Sequence, residues 1–199
     1  MKRLLLAALI FGSALFPAPA AGWAQWGSRE WYPGIASWPR VIVCNAASVP
    51  TGWRNAIQYG SRFWNSRGQS PNWYYTPLTD NGGVCSSGGA GTQWNLQFKY
   101  ADYGDTACQT RAVTVTANTT LYAHATVTIN SRCNWSNYNW TTSLPTVYQY
   151  DGMTLAAHEA GHALGLDHAG SSTLMSVSGP LGVRRYPTQD DIYGIQGIY

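Results

Sequence analysis

Three of the four histidines in this chain fall within eleven residues, in the run His158-Glu159-Ala160-Gly161-His162-Ala163-Leu164-Gly165-Leu166-Asp167-His168. Four residues of α-helix turn through about 400°, so His158 and His162 leave one face a single turn apart. Met153, Ala156, Ala157, Ala160 and Ala163 are compatible with helix, and Asp151 is placed to cap one that begins near Gly152. A helix carried on to residue 168 would take that side chain too far along the axis. Gly165 is where the helix can stop, because glycine takes the left-handed conformation without a Cβ penalty. The chain can then fold back and present His168 from another side.

Three neutral imidazoles so arranged suit one zinc ion, at Zn–N distances of about 2.0–2.1 Å, and leave a fourth tetrahedral position open for water. That is the arrangement of a catalytic rather than a structural site. Glu159 lies about 100° around the helix from His158. It borders the metal without being forced to ligate it, which suits a base that takes a proton from water held at zinc. A helix surface that merely carries histidines does not account for three of them in so short a run.

The start of the chain reads as an export signal. Lys2 and Arg3 are followed by the apolar run from Leu4 to Phe16 and by Ala18-Pro19-Ala20, small residues that suit cleavage. The run is shorter than the roughly 18–20 residues a membrane span needs, and no later segment could span. The expected division is a signal peptide over residues 1–21 and a single catalytic domain over 22–199, a length that suits one core. Export places the protein outside the cell, or in the periplasm of a bacterium. Taking Lys2 and Arg3 from the twelve basic residues leaves ten against nine acidic ones. So even a balance excludes an electrostatic nucleic-acid binder, and a monomer is expected. Four cysteines, Cys44, Cys85, Cys108 and Cys133, suggest two disulfides in an exported chain. Three pairings are open.

Only 11% of residues are charged, but 10 Trp and 13 Tyr supply apolar mass that a disordered chain lacks. Most of these aromatics are expected in the core rather than on a glycan-binding surface. Residues 23–39, rich in Trp, Gly and Pro, read as an irregular arm. Residues 40–44 are β-branched and read as a strand, 53–67 as a helix with Thr51 as a cap, and 72–76 as a second strand. Residues 80–92 read as a Gly-rich loop holding Cys85. Trp94, Leu96 and Phe98 alternate with polar residues as a half-buried strand does, and 112–116 and 121–129 repeat the pattern more loosely. The sum is a mixed α/β domain with a twisted sheet beside a few helices.

Met175 follows His168 within Ser171-Ser172-Thr173-Leu174-Met175-Ser176. With it, the histidine run resembles the metzincin signature H-E-x-x-H-x-x-G-x-x-H plus Met-turn. Residues 187–199, Ala156-Ala157 and Ala163-Leu164-Gly165-Leu166 are similar to the matrixin branch. The close resemblance covers residues 151–199. It implies a metzincin-like catalytic domain with a mostly parallel sheet, an antiparallel edge strand, an active-site helix, a Met-turn and a C-terminal helix. It also implies zinc-dependent cleavage of internal peptide bonds in protein or peptide substrates. His158, His162 and His168 would hold one catalytic zinc, with Glu159 as base and Met175 beneath the metal. Substrate would lie along an edge strand within residues 111–130. Asp191 would bond the Met-turn, and Thr188 would cap the final helix.

The chain departs from related patterns in places. Matrixins usually carry Ser where this chain has Ala169. Val177 stands where astacin- and serralysin-like members have a tyrosine, so no tyrosine ligand is expected. His124 alone is left over, which does not make a second zinc site and reads as structural. Asp102 and Asp105 are candidate calcium contacts, though a solvated turn explains them better. The arm offers no Cys and only Glu30 as an acid, so no ligating latency segment is expected. A zinc-bearing adhesion module that has lost catalysis is the alternative reading, and the intact Glu159 argues against it.

Overall fold

A computed structural model describes residues 30–31, 41–65, 73–75, 96–104, 112–116, 121–122, 125–136, 150–177 and 183–198. In chain order the elements are β1 (Glu30–Trp31), β2 (Val41–Asn45), α1 (Thr51–Arg62), β3 (Trp73–Tyr75), β4 (Leu96–Ala101), β5 (Ala112–Thr116), β6 (Leu121–Tyr122), β7 (Ala125–Asn130), β8 (Trp135–Ser136), β9 (Tyr150–Asp151), α2 (Gly152–Ala163) and α3 (Gln189–Ile198). The signal segment, most of the arm, the 80–92 loop with Cys85, Trp94, Asp105, Cys108 and His124 lie outside the described residues.

The main sheet has five strands in the order β3-β2-β4-β7-β5. β2 pairs in parallel with β3 and β4, and β4 in parallel with β7. β5 alone runs antiparallel, at the edge, with Thr114 opposite Val127. The expected fold class, a mixed α/β domain with a mostly parallel sheet and an antiparallel edge strand, is therefore what the chain forms. Two short parallel ladders, β1 with β6 and β8 with β9, lie apart from it.

The core forms where α1 and α2 pack together beside the sheet. Val43, Leu96, Phe98, Val127 and Ile129 from the strands meet Trp53, Ile57, Met153, Leu155 and Ala156 from the helices. All twelve residues of α2 are buried. A helix so covered needs no polar face, which is why alanine and glycine dominate its sequence. The described tryptophans with known burial, Trp53, Trp64 and Trp135, are core residues, and the Trp53 and Trp135 rings meet edge to face at 5.3 Å. Cys44 and Cys133 are also buried, both are disulfide-bonded, and no described cysteine is free.

Four local expectations differ from the structure, the first being the irregular arm, where Glu30–Trp31 form β1 by pairing with β6. Thr51 is not a cap. Pro50 holds that position with no side-chain hydrogen bond, and its carbonyl accepts from Trp53 N, so the backbone turn itself starts α1. α1 ends at Arg62, short of residue 67, because the chain turns at Phe63 and Trp64 to carry the Trp64 indole onto α2, where Nε1 donates to Ala157 O at 2.9 Å. Residues 121–129 form two strands rather than one: β6 pairs with β1 and β7 with the main sheet.

Candidate metal centre

The helix that carries His158 and His162 starts as its sequence predicts. Asp151 precedes the first turn in extended conformation and its carboxylate accepts from Thr154 N at 3.0 Å. The helix ends at Ala163, with Leu164 as its C-cap. Gly165 sits at φ 98°, Gly165 N donates to His162 O, and Leu166 N donates back to Gly161 O. This paired closure, with glycine in the left-handed region, is the Schellman arrangement, and it turns the chain sharply away from the helix axis.

The turn delivers His168 beside the other two. One ring nitrogen of each of His158, His162 and His168 lies within 4.8 Å of the others'. The ring centroids are 4.7, 5.4 and 4.7 Å apart. His158 Nδ1 and His162 Nδ1 are each 2.8 Å from a backbone carbonyl, of Leu174 and Leu166 respectively. A carbonyl can only accept, so the proton must sit on Nδ1, and Nε2 is left as a lone pair. Tying the outer ring nitrogen to a carbonyl is how ligating histidines are oriented. Burial pushes His162 down to about 4, against the opposing pull of the Glu159 carboxylate. Burial, and then the neighbouring His158, push His168 down as well. Both effects favour the neutral, lone-pair-bearing form that a metal requires.

The donor set fits one zinc ion. Zn–N bonds of about 2.0–2.1 Å in a tetrahedron put ligand nitrogens roughly 3.4 Å apart, so the 4.8 Å spread must contract somewhat. His168 is the ligand free to do this. It stands on an exposed loop beside Asp167, whereas His158 and His162 are buried on the helix and held by carbonyls. Glu159 is buried next to His158. Among the described residues no other trio of His, Cys, Asp or Glu is close enough to hold a metal. Asp102 is engaged by Gly104 N and by Arg132, as a solvated turn requires.

The loop after His168 is pinned from several sides. Ala169 N donates to Met175 O, and Ala169 and Ser176 form a parallel bridge. Asp191, completely buried at the start of α3, accepts from Leu174 N at 3.0 Å and Met175 N at 3.3 Å. The same carboxylate accepts from Thr188 N at 2.7 Å while Thr188 Oγ1 accepts from Asp191 N, a reciprocal capping box. Met175 itself lies against Gly161 in the last turn of the histidine helix, between His158 and His162.

Sequence reading passed over Gly161, Arg184 and Arg185. A Cβ on Gly161 would strike the Met175 sulfur and lie 2.8 Å from Trp64 Cζ2. Arg185 meets the buried Asp151 carboxylate with two bonds, Nε at 3.0 Å and Nη2 at 2.9 Å. No local spacing marks these residues, since their partners are distant in sequence.

Three imidazoles that one metal ion could draw together, two on a capped helix and one on the loop its glycine turn releases, are arranged as in the metzincin class. Residues 93–199 match the Matrixin family model. The chain belongs to the matrixins. It is 52% identical over 48 residues to human matrix metalloproteinase-27. That match spans 23% of this chain and 9% of the human protein.

Proposed function

We propose that the chain is an exported zinc metalloendopeptidase that hydrolyses internal bonds of protein or peptide substrates. The observation that carries the reading is the convergence of three imidazoles beside a buried carboxylate, with two of the rings already oriented by backbone carbonyls. His158, His162 and His168 hold the ion. Bound zinc would supply Lewis acidity, polarising a scissile carbonyl and making water more acidic. Glu159 takes the proton from the attacking water and passes it on to the departing amine. Gly165 turns the chain so that His168 can join the other two. Met175 forms the floor of the site, and Asp191 holds the loop that carries it.

The substrate backbone pairs with β5. That strand ends the sheet and packs against α2, so a peptide added to its open side runs past the histidines as an extra strand. No described helix is long and apolar enough to cross a membrane. On this reading the chain is released after signal cleavage and acts as a monomer.

Glu159→Ala tests the reading. It should keep wild-type zinc content, measured by elemental mass spectrometry, while hydrolysis of a mixed peptide library falls about 10²–10⁴-fold. Full hydrolysis by that variant would refute the mechanism.

A further inference from the structure

One segment grips both carriers of the histidines. Arg184 N donates to Thr154 Oγ1 at 2.9 Å, on the first turn of α2. Thr154 Oγ1 in turn donates to Asp151 Oδ2 at 2.6 Å, and Arg185 closes on the same carboxylate. The Arg184 side chain points the other way. Its Nη1 donates to Ser171 O and, at 3.0 Å, to Thr173 O, in the loop between His168 and Met175.

The next carbonyl in that loop, Leu174 O, accepts the His158 ring proton. The peptide just before it, Thr173–Leu174, is held on one side by Arg184 at Thr173 O and on the other by Asp191 at Leu174 N. We infer that Arg184 is a positioning residue of the metal centre: it fixes the Leu174 carbonyl, and through it the orientation of the His158 ring, relative to α2. The inference rests on the proposed zinc site. Its logic is geometric. His158 is carried by α2 and its orienting carbonyl by a separate loop, so the ring is well placed only if helix and loop keep a fixed relation. Arg184 bonds to both. Asp191 bonds to the loop and to the start of α3, and so cannot by itself set the loop against α2. A guanidinium suits the task because it holds several donors in a rigid plane, and a carbonyl pair makes no demand for a counter-charge.

The test uses the metal itself as probe, on the full chain. Zinc affinity is measured by competition with a chromophoric chelator, and cobalt is substituted to read the ligand field by absorption. Partners outside the ligand set cost about 10–100-fold in metal affinity when removed. Arg184 acts one bond further out, so Arg184→Met should weaken zinc about tenfold and alter the cobalt spectrum. Arg184→Lys, which keeps the charge and can serve one of the two carbonyls, should fall between Met and wild type. Wild-type zinc affinity and cobalt spectrum in Arg184→Met would overturn the inference, even if the metal-free protein melted lower, because the arginine would then be merely structural. If Arg184→Met does not fold without metal, folded Arg184→Lys decides: weakened zinc supports the inference and unchanged zinc overturns it. A wild type that binds no zinc would instead defeat the proposed site, and the inference with it.

Discussion

The sulfur of Met175 occupies the place where a Cβ on Gly161 would have to be. The Met175 side chain therefore rests directly on the backbone of the histidine helix, and any Cβ there would have to displace it. Trp64 closes the same contact from the turn after α1, with its ring 2.8 Å from that position and its indole bonded to Ala157 O.

Gly161→Ala should cost about 1–3 kcal/mol of stability by overpacking, against a gain of roughly 0.5–1 kcal/mol from better helix propensity. The net loss is limited because a thioether can shift. Gly60→Ala should be worse. There the added carbon would lie 2.7–2.9 Å from Ala156 Cβ, Met153 O and Ala157 N, and backbone cannot yield without parting α1 from α2. Denaturant unfolding of the two metal-free variants checks the order. A larger loss in Gly161→Ala would contradict it.

Asp191→Ala should remove the acceptor from Leu174 N, Met175 N and Thr188 N at once. Charged hydrogen bonds contribute about 1.5–3 kcal/mol each but not additively, so a loss of at least about 3 kcal/mol is expected. Zinc affinity should fall with it, since the Leu174 carbonyl that orients His158 is released. Chelator competition together with thermal unfolding would expose an unchanged site if the expectation is wrong.

Asp151 is buried and its partner Arg185 is largely covered, with side chains 2% and 13% exposed. Breaking such a pair from one side leaves an uncompensated charge and costs about 3 kcal/mol or more. Arg185→Met should therefore be strongly destabilised. Adding Asp151→Asn should recover part of the loss, because asparagine caps a helix as well as aspartate does and carries no charge. A double variant no more stable than Arg185→Met alone would count against this account.

Zinc should stabilise the folded chain by mass action. At free zinc about a thousandfold above the dissociation constant the gain is about 4 kcal/mol, so the melting temperature should climb with zinc concentration and drop on chelation. His162→Ala, which lacks a ligand, should show almost no such dependence. A zinc-dependent melting temperature retained in that variant would argue for a different site.

The parts of the fold that could be read in advance are those governed by local rules. Asp151, His158, His162 and Gly165 announce a capped helix and its end because each acts on residues within four positions, and the same holds for Thr188 and Asp191 in α3. β5 and β7 were legible as strands from alternation, and their pairing directions came with the family pattern rather than from the residues. What stayed hidden is long-range. Gln97 looks solvent-facing by alternation yet is buried, because β4 lies at the centre of the sheet. Gly60, Gly161, Arg184 and Arg185 matter through partners far along the chain. Thr51 misled because a threonine near a helix start resembles a cap whether or not the backbone leaves its hydroxyl in position.

The turn at Gly165 gives the end of α2 an unusual dependence. Last turns of helices commonly open ahead of global unfolding. Here Leu166 holds the helix end through Gly161 O and holds the His162 ring through its own carbonyl. The terminal turn cannot fray without letting that imidazole swing loose. The amides of Gly165 and Leu166 should then exchange with solvent as one slow unit with the ligand set. An ion bound by the three histidines would act on α2 as an external clasp, its charge set where the helix dipole is negative.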